Sequence, residues 1–96
     1  MINIINQLFE IEKKIQENDS QSIQRNVDRI KHELESMGYI IVNPMGKPYD
    51  ERDASIEANI SSEKPRMVIS KVLKPAIYYN ENDIVQLIQK AIVIVS

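Results

Sequence analysis

Along the first third of the chain, apolar residues recur every three or four positions. They are Ile4, Leu8, Ile11 and Ile15, then Ile23, Val27, Ile30, Leu34 and Met37. After Gly38 the period changes: apolar and polar residues alternate, or short apolar blocks are broken by Pro, Gly and Asn. A helix brings residues three or four apart onto one face, whereas a strand turns successive side chains to opposite faces. The pattern therefore predicts an α+β chain, with an N-terminal helical hairpin over 1–37 followed by a small all-β module over 38–96.

The first helix is expected from about Asn3 to Gln16, where Ile5 and Phe9 widen the stripe at its N-terminal end. Glu17-Asn18-Asp19-Ser20 interrupts the stripe with residues whose side-chain oxygens satisfy free backbone N–H groups at turns and helix starts. A second helix is expected from Gln21 to Met37, ended by Gly38, which takes the left-handed cap conformation without a Cβ penalty. Two helices of this length are marginal alone. Their stripes must cover the β-module, each other or a second copy of the chain. The wide face of the first helix favours a second copy, giving a dimeric four-helix bundle built from Ile4, Leu8, Ile11, Ile15, Ile23, Val27, Ile30 and Leu34. An intramolecular helical layer on the sheet is the alternative.

Six short strands follow. They are Tyr39–Asn43, Ile56–Ser61 with one wet face, Met67–Leu73, Ile77–Tyr79, Ile84–Ile88 and Ala91–Val95. Turn clusters separate them: Pro44-Met45-Gly46-Lys47-Pro48, Ser62-Glu63-Lys64-Pro65 and Asn80-Glu81-Asn82-Asp83. Short strands with brief turns predict a compact sandwich or half-barrel.

Composition narrows the function. The net charge is −2, and neither part has the basic excess that phosphate neutralisation requires, so nucleic acid is not an expected partner. The chain has no cysteine, which excludes disulfides and thiolate metal sites. The opening MINIINQLFEIEKK lacks the basic and long apolar regions of a signal peptide, and no run approaches the ~20 apolar residues of a membrane span. A cytoplasmic protein is expected.

Catalytic chemistry finds little to stand on. His32, the single histidine, lies off the Ile30–Leu34 stripe and reads as a surface residue. Asp50-Glu51-Arg52-Asp53 concentrates three carboxylates, but no Gly-centred calcium loop or nucleophile accompanies them, so a solvated turn is expected. Only two glycines exist, far apart, so no phosphate-cradling loop forms. No catalytic residue, metal or cofactor is expected.

The order of motifs after the helices resembles a known family. Met37-Gly38-Tyr39, Ile41, Pro44, Gly46, Pro48, Tyr49 and Asp50 look like the start of the β-domain of GrpE, the nucleotide exchange factor of DnaK-type chaperones. Ala58, Ile60, Ser62 and Pro65 continue the likeness, Val68, Val72 and Leu73 fit its next strand, and Ala91–Ser96 resembles its closing strand. The helical pair lies where that family places its short bundle-forming helices, while its long N-terminal helix has no counterpart in these residues. Departures are Glu51 for a proline, Ala54 for a histidine, Gln89-Lys90 for an Arg-Pro pair, Lys74–Ile77 in a turn of different composition, and a longer final hairpin. The resemblance implies a short or truncated, diverged GrpE-like homodimer whose β-domain binds the nucleotide-binding domain of a DnaK-type chaperone and promotes ADP release. By position, it implies a contact face containing Tyr49, Glu51, Leu73, Asp83 and Val95. A non-catalytic adaptor with the same fold and another protein partner is the alternative, with core packing the competing role for Leu73 and Val95.

Overall fold

A computed structural model describes residues 1–18, 21–61 and 65–96, leaving most of the expected turns at 17–20 and 62–65 outside the described residues. Two helices, α1 (Ile2–Asn18) and α2 (Gln21–Ser36), precede six strands. The strands are β1 (Tyr39–Val42), β2 (Ile56–Ile60), β3 (Ile69–Lys74), β4 (Ala76–Glu81), β5 (Ile84–Gln89) and β6 (Ala91–Val95). The fold is α+β, as the change of period predicts. Among the described residues, no helix is long and apolar enough to cross a membrane.

Gly38 makes the change of element possible. The last turn of α2 tightens, with the Met37 N–H donating to Glu33 O at 3.1 Å and the Gly38 N–H to Glu35 O at 3.0 Å. Gly38 then takes φ 100°, and its carbonyl accepts from the Asn80 N–H at 2.8 Å, which starts the pairing of β1 with β4.

The strands form two three-stranded sheets, ordered β1-β4-β5 and β2-β6-β3. The first is antiparallel throughout. In the second, β6 pairs antiparallel with β3 but parallel with β2, with Ile56 opposite Ala91 and Ile60 opposite Val95. The segment before β2 adds to the outer side of β3, where the Gly46 N–H donates to Ile69 O and the Ile69 N–H to Lys47 O, both at 2.9 Å. The Tyr49 N–H continues this ladder to Met67 O at 2.9 Å, so the Pro-rich turn is held as a short fourth edge.

The chain passes between sheets three times, through the long segment 43–55 and at the one-residue corners Pro75 and Lys90. Proline suits such a corner because it ends a ladder without stranding an N–H. A polar clamp joins the corner to α1. The side-chain amides of Asn6 and Gln89 bond reciprocally at 2.9 Å, and Gln89 Nε2 also donates to Pro75 O at 2.9 Å. Replacing Gln89 with leucine is expected to cost about 1–3 kcal/mol, because Asn6 and the Pro75 carbonyl lose their partners in a half-buried site. Urea unfolding of Gln89→Leu, with Asn6→Leu added to recover part of the loss, measures this coupling.

Two apolar clusters hold the elements together. Phe9 of α1 joins Ile69, Val72, Ala76, Ala91, Val93 and Val95, while Ile5, Leu8, Ile15, Val27 and Leu34 close over Ile77. The helices are thus not a free-standing hairpin, since both cores cross the boundary at residue 38. Of the eight residues expected in an intermolecular bundle, Leu8, Ile15, Val27 and Leu34 are buried within the chain. The intramolecular alternative therefore describes one half of each stripe, because the sheet offers Ile77 to the side of the helices on which these four lie.

Candidate interaction surfaces

The other half of each stripe faces outward. Ile4 and Ile11 on α1, with Ile23, Ile30 and Met37 on and just past α2, are between 46% and 58% exposed. Within each helix these residues are seven apart, the spacing of a coiled-coil seam. Residues seven apart align along one helix line, so these side chains form apolar rows beside the packed face. The polar contacts between the helices lie elsewhere: Glu12 accepts from Gln24 Nε2 at 3.0 Å and pairs with Lys31 Nζ at 3.3 Å.

The molecule also exposes more surface than its mass requires. Its principal extents are 40 × 38 × 18 Å and its accessible surface is 6859 Å². A compact monomer of 11.1 kDa presents about 5,700 Å², which leaves an excess of roughly 1,200 Å². A standard protein interface buries about 800 Å² per partner, so the flat shape has room for one with area to spare.

The positions implied by the family resemblance do not converge. Tyr49 is half-buried against the Phe9–Val95 cluster, Glu51 is exposed in the turn before β2, the Leu73 side chain is open on β3, and Asp83 is at the tip of the β4–β5 hairpin. Val95 is fully buried, so it packs the core and offers nothing to a partner surface, because its side of β6 faces Phe9 and Ile69.

The acidic turn is occupied by its own geometry. Asp50 Oδ1 accepts from the Arg52 N–H at 2.9 Å and Nε at 3.1 Å, and Asp53 Oδ1 accepts from the Ser55 N–H at 2.9 Å and Oγ at 2.6 Å. The Arg52 side-chain bond, then its backbone N–H, holds the Asp50 carboxyl below the usual range. The Ser55 hydroxyl, then its backbone N–H, does the same for Asp53. Both are fixed as turn-forming carboxylates, ill-suited to proton transfer near neutral pH. His32 is exposed on α2, as expected, and no group of metal-ligating side chains is present among the described residues.

A groove between α1 and β3 is lined by Phe9, Lys13, Met45 and Val72. Lys13 already holds the two elements together, because its Nζ donates to Val72 O at 3.3 Å while lying 5.7 Å from the centre of the Phe9 ring.

No protein-family model matches the chain, and no curated protein or solved structure matches it significantly.

Sequence reading missed the exposure of β5. Ile84, Val85 and Leu87 are all open to solvent, and Ile40 of β1 is open beside Tyr78 on the face that carries Val85 and Leu87. The signal was present in Ile84-Val85-Gln86-Leu87-Ile88, which lacks the apolar–polar alternation of a strand with one wet face.

Proposed function

We propose that this protein is a non-catalytic homodimer, paired through its helices, that binds the nucleotide-binding domain of a DnaK-type chaperone and speeds ADP release. One observation carries the dimer: the outward apolar rows Ile4–Ile11 and Ile23–Ile30–Met37, left over after the helices have covered the sheet. The chaperone partner rests on the ordered GrpE-like motifs from Gly38 to Pro65 and from Ala91 to Ser96, which fall in a β-module preceded by a helical pair.

No reacting group is needed for such a function. A partner that favours the open form of a nucleotide-binding domain lowers nucleotide affinity by the same coupling with which nucleotide lowers its own binding. Recognition then depends on an apolar contact inside a polar rim. Leu73, open on β3 and bordered by Lys71 and Lys74, supplies such a contact.

Stopped-flow release of a fluorescent nucleotide from the chaperone of the same organism tests the reading. Release should accelerate at saturating protein. Leu73→Asp should remove most of that acceleration, about 2 kcal/mol or more in binding, without changing thermal unfolding. Tyr49→Ala should lower both acceleration and stability, because Tyr49 packs against the core cluster. An unchanged off-rate with the unmodified protein rejects the exchange reading and leaves the adaptor with a different protein partner.

A further inference from the structure

We propose that β5 is a second self-association edge, which pairs antiparallel with β5 of another copy and joins two three-stranded sheets into one of six strands. The inference is independent of the chaperone reading. It starts from position: β5 ends the sheet ordered β1-β4-β5, so one side of its backbone has no strand partner among the described residues. Natural edges are blunted by charge, proline, shortness or a covering segment. The outer side of β3 is covered by residues 46–49, β2 alternates with Glu57 and Asn59, and β1 is only four residues long. By contrast, β5 is six residues, Ile84-Val85-Gln86-Leu87-Ile88-Gln89, with no charge, proline or glycine.

Its side chains complement a second copy. With the two-fold axis through Gln86, Ile84 lies opposite Ile88 of the other copy and Val85 opposite Leu87. Apolar residues then meet on both faces of the joined sheet. The row Ile40–Tyr78–Leu87, already aligned across β1, β4 and β5, continues onto Val85 of the second copy. A shift of register leaves Ile88 as an extra residue between the pairs Tyr78–Leu87 and Ile77–Gln89, which limits the pairing to about five residues.

Charge selects the direction. The hairpin end of β5 is acidic, with Glu81 and Asp83, while the corner end is basic, with Lys90 and the neighbouring Lys74. Antiparallel pairing sets each acidic end beside a basic end, with Lys90 of one copy near Asp83 of the other and Glu81 one strand further in. Parallel pairing would set like charges together. Two separate two-fold interfaces on one chain build species larger than a dimer.

Sedimentation velocity on four proteins at high micromolar concentration tests this. The unmodified chain should exceed a dimer in mass. A helix variant, Ile11→Asp with Ile30→Asp, should remain dimeric through β5. An edge variant, Val85→Lys with Leu87→Lys, should remain dimeric through the helices, and the combination should be monomeric. Every replaced side chain is exposed, and circular dichroism of each variant confirms the fold. In the helix variant, Asp83→Lys or Lys90→Glu should each lose the remaining dimer, and the two together should restore it. A monomeric helix variant, a mass unaffected by the two lysines, or a charge swap that fails to restore pairing overturns the proposal. An extended segment of a different protein would then be the occupant of the edge. Failure of the helical dimer looks different: the edge variant alone becomes monomeric while the helix variant matches the unmodified chain.

Discussion

Gly38→Ala is expected to destabilise the fold by about 2–4 kcal/mol, while Gly46→Ala costs about 1 kcal/mol. Both glycines have positive φ, 100° at Gly38 and 81° at Gly46, so both substitutions incur backbone strain. Only Gly38 also faces a wall. A Cβ there would lie 2.6 Å from the carbonyl oxygen of Asn80 and 3.3 Å from the Tyr79 ring, whereas a Cβ at Gly46 meets nothing within 4 Å. The Asn80 oxygen is backbone and cannot swing aside without disturbing the β1–β4 ladder that the Asn80 N–H to Gly38 O bond begins. That ladder also aligns Tyr39 with Tyr79, whose ring centres are 4.9 Å apart. Denaturant unfolding of the two variants at one chain concentration measures the contrast, since self-association adds a concentration-dependent term. Equal losses would mean that only backbone conformation matters at the helix-to-strand junction.

Ile11→Asp combined with Ile30→Asp is expected to abolish helix-mediated pairing while leaving the protomer folded. Both side chains are exposed in the single chain, so a carboxylate there stays solvated until two copies meet. Pairing would bury it against isoleucines, at a cost of several kcal/mol per unpaired charge. Leu8→Ala and Val27→Ala act on the other half of the same stripes and should lower protomer stability, Leu8→Ala by about 2–5 kcal/mol, because these residues pack around Ile77. Sedimentation equilibrium separates the two effects. If the edge variant, with β5 blocked, is monomeric at high micromolar concentration, the helical rows do not pair.

Much of the architecture was legible in the order of residues. The switch from a helical to a strand period at Gly38 predicted two helices and six strands, and the observed elements differ mainly at their ends. The acidic turn read as a turn for a sound reason, since Asp50 and Asp53 each bond the residue two positions on. The corner at Pro75 and Gln89 was not legible, because the amide pair with Asn6 joins residues 83 positions apart. Nor was the parallel pairing of β2 with β6, which depends on a crossover and leaves no local pattern.

Interaction surfaces were legible only as possibilities. Periodicity showed that Ile4, Leu8, Ile11 and Ile15 lie on one side of α1, but not how much of that side the sheet would use. The answer is Leu8 and Ile15, with Ile4 and Ile11 left outside. Similarly, Val95 and Leu73 are both apolar strand residues, yet one is sealed in the core and the other open on β3.

The sequence by itself determined the elements, the break between them and the absence of cysteine chemistry, because period, turn residues and composition act over a few neighbouring positions. Tertiary structure decided which apolar residues are consumed within the chain and which are left over. A helix stripe or a strand face becomes surface only when the partner element is too narrow or too distant to cover it. That depends on how two small sheets meet at Pro75 and Lys90, through contacts far apart in the chain.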